Sequence, residues 1–288
     1  MKIILLIILT QVGLERPKED VSKIRSFVTD ETGHYMLTPN IAYHWSTGGT
    51  LLKSIPGYIV SLKRIGDTYY WTYDNWETGE VGVVIENGNN QTRWVNYHST
   101  FFLMDEGQLY FSPVDWLANE SILVPTEISA EGPEEVGKGY YSRKIIDPNF
   151  KRFWHVRDGD KVYIAEPTSR KIRVYQDNKE KEPVKIEIPG WIKYPGLLFE
   201  TERQKVFQYY KGFTRIVGFG AISDGYMLAV EKTNMKTIVY RLSHEFKIIG
   251  EPVSLEGWGN RGQIFSGTDG ARGWYFSPEP FTVKAIDP

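Results

Sequence analysis

Beyond residue 30 the chain alternates short apolar stretches with clusters of Gly, Asp, Asn and Pro. Asp67–Asp74, Glu80–Glu86, Thr92–Tyr97, Lys161–Glu166 and Lys171–Tyr175 are rich in branched and aromatic residues and too short for helices, so they predict strands. Val184–Ile188, Tyr226–Glu231, Thr237–Leu242 and Phe281–Ile286 continue the pattern. Branched and flat side chains suit a pleated, half-buried surface. Only Pro17–Val28 leaves room for a short helix, and it ends in the strand-like Ser26-Phe27-Val28. The expected class is all-β.

The strands recur with a period. Glu166–Tyr175 (EPTSRKIRVY) aligns with Glu231–Tyr240 (EKTNMKTIVY) at five of ten positions, each segment lying downstream of an Asp-Gly turn, Asp158-Gly159 or Asp224-Gly225. Leu109–Pro113 (LYFSP) likewise matches Trp274–Pro278 (WYFSP). With Tyr35–Pro39 and Tyr69–Tyr73 added, six strand markers start near 35, 69, 109, 162, 227 and 274, about 48 residues apart on average. That spacing suits a β-propeller of about six four-stranded blades. Ser129–Gly139 and Gly190–Gln204 then become insertions within the two longest gaps. One such sheet cannot bury its two faces alone; a ring of them can. Because the chain stops soon after Phe281–Ile286, the last blade lacks an outer strand. An N-terminal segment, expected at Val21–Val28, would supply it and close the ring.

The stretch Asp158–Tyr175 (DGDKVYIAEPTSRKIRVY) resembles the repeat of NHL-type or TolB-like six-bladed propellers: a turn, an apolar strand, a polar hairpin and an Arg-x-Ile-x-Val-Tyr-like strand. The resemblance implies blade architecture and brings no catalytic residue with it. Propellers of this kind include exported binding modules and enzymes, so function has to be argued from a site.

Composition narrows the choices. A net charge of -2 offers no basic field for a nucleic-acid backbone. The absence of cysteine removes disulfides and thiolate chemistry. Met1-Lys2 followed by Ile3–Leu9 has the shape of a signal-peptide core and is too short to span a bilayer. Export to the periplasm or outside is therefore expected, although no small-x-small cleavage site follows. Residues 1–16 are read as an N-terminal or signal-like segment, and 17–288 as one propeller domain.

The five histidines, His34, His44, His98, His155 and His244, show no ligand-like spacing, so neither a metal nor a cofactor is expected. No Gly-x-Ser-x-Gly elbow is present. Asp67, Asp158 and Asp224 sit where hairpins favour Asp. Nine Trp and eighteen Tyr are the most suggestive feature, since flat faces with polar edges stack on sugars and dock partners. Glu256–Gly262 (EGWGNRG) presents Trp258 and Arg261 between glycines, while Arg215, Tyr141 and His155 precede predicted inner strands and are candidates for the channel wall. These five are the expected ligand-binding residues. The expected function is a non-enzymatic binding or scaffold propeller for a glycan, peptide or protein ligand. Its alternative is a carbohydrate-active hydrolase or lyase with paired carboxylates in a central funnel. A funnel lined by aromatics and arginine would favour the first reading.

Overall fold

The computed structural model describes residues 11–18, 23–75, 77–95, 153–177, 179–196, 205, 208–209, 211–234, 236–255 and 263–286, together with the strands between 99 and 144 at the level of backbone and pairing. The strands are β1 (Gln11–Gly13), β2 (Ser26–Asp30), β3 (Gly33–Leu37), β4 (Ile41–Trp45), β5 (Leu51–Pro56), β6 (Ile59–Ile65), β7 (Thr68–Asn75), β8 (Glu80–Asn87) and β9 (Asn90–Val95). Next come β10 (Ser99–Asp105), β11 (Gln108–Asp115), β12 (Glu120–Ser129), β13 (Gly132–Glu135), β14 (Tyr141–Lys144), β15 (Trp154–Asp158), β16 (Lys161–Ala165), β17 (Lys171–Gln176) and β18 (Lys179–Lys185). The last seven are β19 (Arg215–Ile222), β20 (Gly225–Glu231), β21 (Thr237–Leu242), β22 (Ile248–Leu255), β23 (Ile264–Thr268), β24 (Gly273–Ser277) and β25 (Thr282–Ile286).

The strands form three four-stranded antiparallel meanders, β6–β9, β15–β18 and β19–β22, a five-stranded sheet β10–β14, and an eight-stranded sheet ordered β1-β25-β24-β23-β2-β3-β4-β5. All six repeat markers fall on the second strand of a meander: β3, β7, β11, β16, β20 and β24. β3 and β20 are buried along their whole length, and β16 and β24 nearly so, because neighbouring sheets cover both faces, whereas β7 is buried only at Trp71 and Thr72.

Tight turns set each second strand. Gly33 and Gly225 open β3 and β20 with φ of 141° and 144°. A side chain there would meet the carbonyl oxygen of Trp45 or Leu242 at 2.0 Å, so glycine is required twice at one position of the repeat.

Apolar side chains between adjacent sheets make the core. Ile172, Ile186, Phe219, Tyr226, Leu228 and Leu242 fill the joint between β15–β18 and β19–β22. Phe27, Tyr43, Trp45, Trp274 and Phe276 fill the joint within the eight-stranded sheet. Phe27 stacks on Phe276 at 4.2 Å between ring centroids. Each fully buried side chain of this size contributes about 1.5–3 kcal/mol.

Several local expectations change. Pro17–Val28 forms no helix among its described residues; Ser26–Asp30 is strand β2, the first of its meander, pairing with β3 and meeting β23 at one parallel bridge, Thr29 to Gly267. The N-terminal strand lying beside β25 is β1, Gln11–Gly13, not Val21–Val28. The reason is anchoring. Val12 and Leu14 are buried, Leu14 donates its amide to Phe281 O at 3.1 Å, and Glu15 O accepts from the buried Trp45 indole at 2.7 Å. Residues 11–15 are thus part of the folded domain rather than of a separate segment. Val184–Ile188 also shifts: its strand, β18, ends at Lys185, and Ile186 and Ile188 instead plug the neighbouring joint.

Candidate functional site

The first strands β2, β15, β19 and β23 surround a cavity of about 370 Å³. Its wall is mixed. Trp154, His155 and Arg157 come from β15, Ala221 from β19, and Ser266 and Thr268 from β23. Phe27, Phe219 and Phe265 also reach it, but each is buried and used mainly in a joint between sheets. Alternation explains the division on β15. Trp154 and Val156 share the face that packs on the apolar joint and also border the cavity, while His155 and Arg157, at the alternate positions, take the other face.

On the β2–β23 side the wall is a fixed polar surface. Thr29 Oγ1 donates to Ser266 Oγ at 3.0 Å and lies 3.0 Å from His34 Nδ1. Thr29, Ser266 and His34 are all buried. The two backbones touch here: a side chain on Gly267 would sit 2.6 Å from Thr29 O, and glycine alone permits that approach. Burial outweighs nearby carboxylates and holds the His34 pKa down to about 4, so the imidazole is neutral at neutral pH.

The one carboxylate among the described lining residues is Glu31, which stands 3.6 Å from the Lys63 ammonium. Lys63 also meets Asp30 at 2.8 Å. Burial works against its charge, but Asp30 and then Glu31 outweigh it and raise its pKa. Among the described residues, no group of His, Asp and Glu converges as a metal site.

A second polar cluster joins two sheets at the β15–β16 turn. Asp158 accepts a hydrogen bond from Tyr226 Oη at 2.6 Å and lies 3.2 Å from His244 Nδ1. The Tyr226 bond, followed by His244, keeps the Asp158 carboxyl below its ordinary pKa. Tyr226 is pushed up, first by burial and then by the same bond. Its ring stacks on Phe246 at 4.6 Å, so the phenol is a structural clamp rather than an exposed reagent.

The five expected site residues separate. His155 lines the cavity. Arg215 opens β19 and its Nη2 is 2.5 Å from the buried Glu231 of β20, so it braces two strands and stands outside the cavity lining. Tyr141 belongs to β14, which pairs with β12, a position away from any first strand. Trp258 and Arg261 lie outside the described residues. Trp154, Arg157, Ser266 and Thr268 were missed. Their signal was available: each lies on the strand just before a repeat marker, and such a strand borders the axis.

Comparison with solved structures decides the architecture. A member of the duf4221 family from Bacteroides vulgatus superposes with a TM-score of 0.60 at 8% identity, covering 96% of this chain and 95% of that one. The fold is a β-propeller. Kuenenia stuttgartiensis hydrazine synthase follows at 0.52 and 10% identity, covering 95% and 98%. Virginiamycin B lyase from Staphylococcus aureus gives 0.47 and 10%, covering 96% and 97%. No protein-family model matches the chain, and no curated protein matches it in sequence. Identities this low speak for the propeller alone and leave the cavity to be read from its own residues.

Proposed function

We propose that this propeller has six blades of the NHL or TolB-like kind, closed by β1, and acts as a non-enzymatic binding module. Supporting the blade count, the eight-stranded sheet divides at its single parallel bridge into two four-stranded units, β23–β25 with β1 and β2–β5. The ligand, a glycan, peptide or protein, inserts a group into the axial cavity. The observation that carries this reading is the character of the wall: Trp154, His155, Arg157 and pinned hydroxyls, with Glu31 the one carboxylate among the described lining. Glycosidase chemistry uses two carboxyl groups about 5–9.5 Å apart. Binding pockets instead combine apolar walls with a few oriented polar groups, at about 300–1,000 Å³.

Export belongs to the same proposal and rests on the Ile3–Leu9 run. Cleavage after residue 16 would remove β1, so a leader would be cut before Gln11.

The test is a thermal-shift screen of wild-type protein and His155→Ala against glycans and short peptides, with mass spectrometry of each hit. A ligand that raises the wild-type Tm by several degrees, raises the variant's by clearly less and is recovered intact supports the reading. Release of a cleaved product would replace it with the enzymatic alternative.

A further inference from the structure

We infer that strand β9 is the contact edge of a homodimer, in which two copies of the chain pair their β9 strands antiparallel about a two-fold axis. β9 is the outermost strand of its sheet, so this contact is separate from the axial cavity.

An unpaired strand edge is a template for a further strand, and folded proteins blunt it with prolines, bulges, charges or shortness. The other outer strands of this chain do so. β5 ends in Pro56 and bulges at Leu52, where its pairing steps from Lys53 to Leu51. β18 carries Pro183 within a shift of register, and five of its seven residues are charged. β22 carries Gly250 and Pro252 within another shift. β1 is three residues long, and β13 and β14 are four each.

β9 has none of these protections. It runs six residues without proline, in unbroken register with β8 from the Asn87–Asn90 pair to the Gly82–Val95 pair. Asn90 to Arg93 and Val95 are exposed, and Val95, at 53%, is the most exposed large hydrophobic among the described residues. The one charge on the strand, Arg93, is engaged within its own sheet. Its Nε donates to Tyr73 Oη at 2.9 Å and its guanidinium pairs with Glu80.

The strand that fits this edge is one of the same character. Two β9 strands paired antiparallel over all six residues set Asn90 opposite Val95 of the second copy, Gln91 opposite its Trp94, and Thr92 opposite its Arg93. Opposite residues share a face and successive residues alternate, so the two Arg93 side chains fall on opposite faces and no like charges meet. A net charge of -2 per chain adds little repulsion between copies. A strongly charged peptide, by contrast, would find no unpaired charge on this strand to answer it. The contact is isologous, so it closes as a dimer rather than a filament. Pairing along one short strand belongs with small, weak interfaces, so the dimer forms at high protein concentration.

Sedimentation velocity of the full chain across about 5–500 µM tests this, with a dimer expected at the upper end of the range. Thr92→Lys sets a cation opposite Arg93 of the second copy twice per dimer and should weaken association about tenfold. Thr92→Glu sets an anion there and should tighten it about threefold. Because Thr92 is exposed, both variants should keep the wild-type Tm. A chain that stays monomeric throughout overturns the inference. So does a dimer that the two Thr92 variants leave unchanged or weaken alike, which would put the contact on another surface or in another register.

Discussion

Sheets β2–β5 and β19–β22 share a backbone plan and fill it with different chemistry. Each opens its second strand on a glycine with φ near 140°. The next residue is His34 in one and Tyr226 in the other, and both reach the first strand of the preceding sheet. His34 does so through Thr29 to Ser266; Tyr226 bonds directly to Asp158. One strand further on, His44 and Arg241 occupy the same position, opposite Tyr35 and Met227. His44 is fully buried, stacked on Tyr35 at 4.3 Å and 2.9 Å from Tyr69 Oη, whereas Arg241 is half-buried and paired with Asp224. The residue after the glycine thus reaches across a joint in both sheets, whereas one strand further on only His44 does so; Arg241 pairs within its own sheet.

That difference predicts the largest effect. Burial lowers both His34 and His44 from 6.5 to about 4. The unfolded chain therefore takes up two protons that the fold refuses between pH 6.5 and 4, so stability falls as pH drops through that window and is retained above it. Each histidine accounts for about 3 kcal/mol by pH 4. Acidification from pH 7 should thus cost about 6 kcal/mol, and hydrogen exchange should open β3, β4 and β7 before β20 and β21. Equal protection of the two sheets at pH 4.5 would refute the distinction.

A core truncation in the other sheet should behave differently. Leu228 is fully buried in the apolar joint. Leu228→Ala should cost about 2–5 kcal/mol by denaturant unfolding. Because no histidine is among the described residues of that joint's apolar core, the loss should be the same at pH 7.5 and pH 5. A penalty that grows on acidification would mean that the two sheets are coupled.

The sequence carried the architecture further than the chemistry. The repeat markers landed on second strands, and the apolar pattern is densest where both faces are covered, as in β3 and β20. First strands are harder to see. β15 reads WHVRD and β19 reads RIVGFGAI, because an axial strand must pack on its neighbours and also line a cavity, which breaks the alternation. Trp154, Arg157, Ser266 and Thr268 were overlooked for that reason, while His155 was reached through its neighbourhood. The β1 strand was also hidden: three residues long, it is defined by hydrogen bonds to β25 and by the Trp45 indole, and neither leaves a periodic trace.

The smallest effect isolates the clamp itself. Tyr226→Phe keeps the stacked ring on Phe246 and removes only the hydroxyl that donates to Asp158. A hydrogen bond to a charged acceptor is worth about 1.5–3 kcal/mol where the acceptor is shielded, but Asp158 is 43% exposed and water replaces the lost donor. The expected cost is therefore about 1 kcal/mol at pH 7. The same change takes away the first cause of the Asp158 depression, so its carboxyl should titrate at higher pH in the variant, as followed by carbon-detected NMR. With Asp158 held below its unfolded value, its share of stability is present above that value and is lost as pH falls through the folded pKa. The Tyr226→Phe penalty should hence shrink under acid, just where the His34 and His44 penalty grows. If the two trends ran in parallel, the titrating group in both sheets would have to be a common one, and the division between a histidine-bearing and a tyrosine-bearing joint would fail.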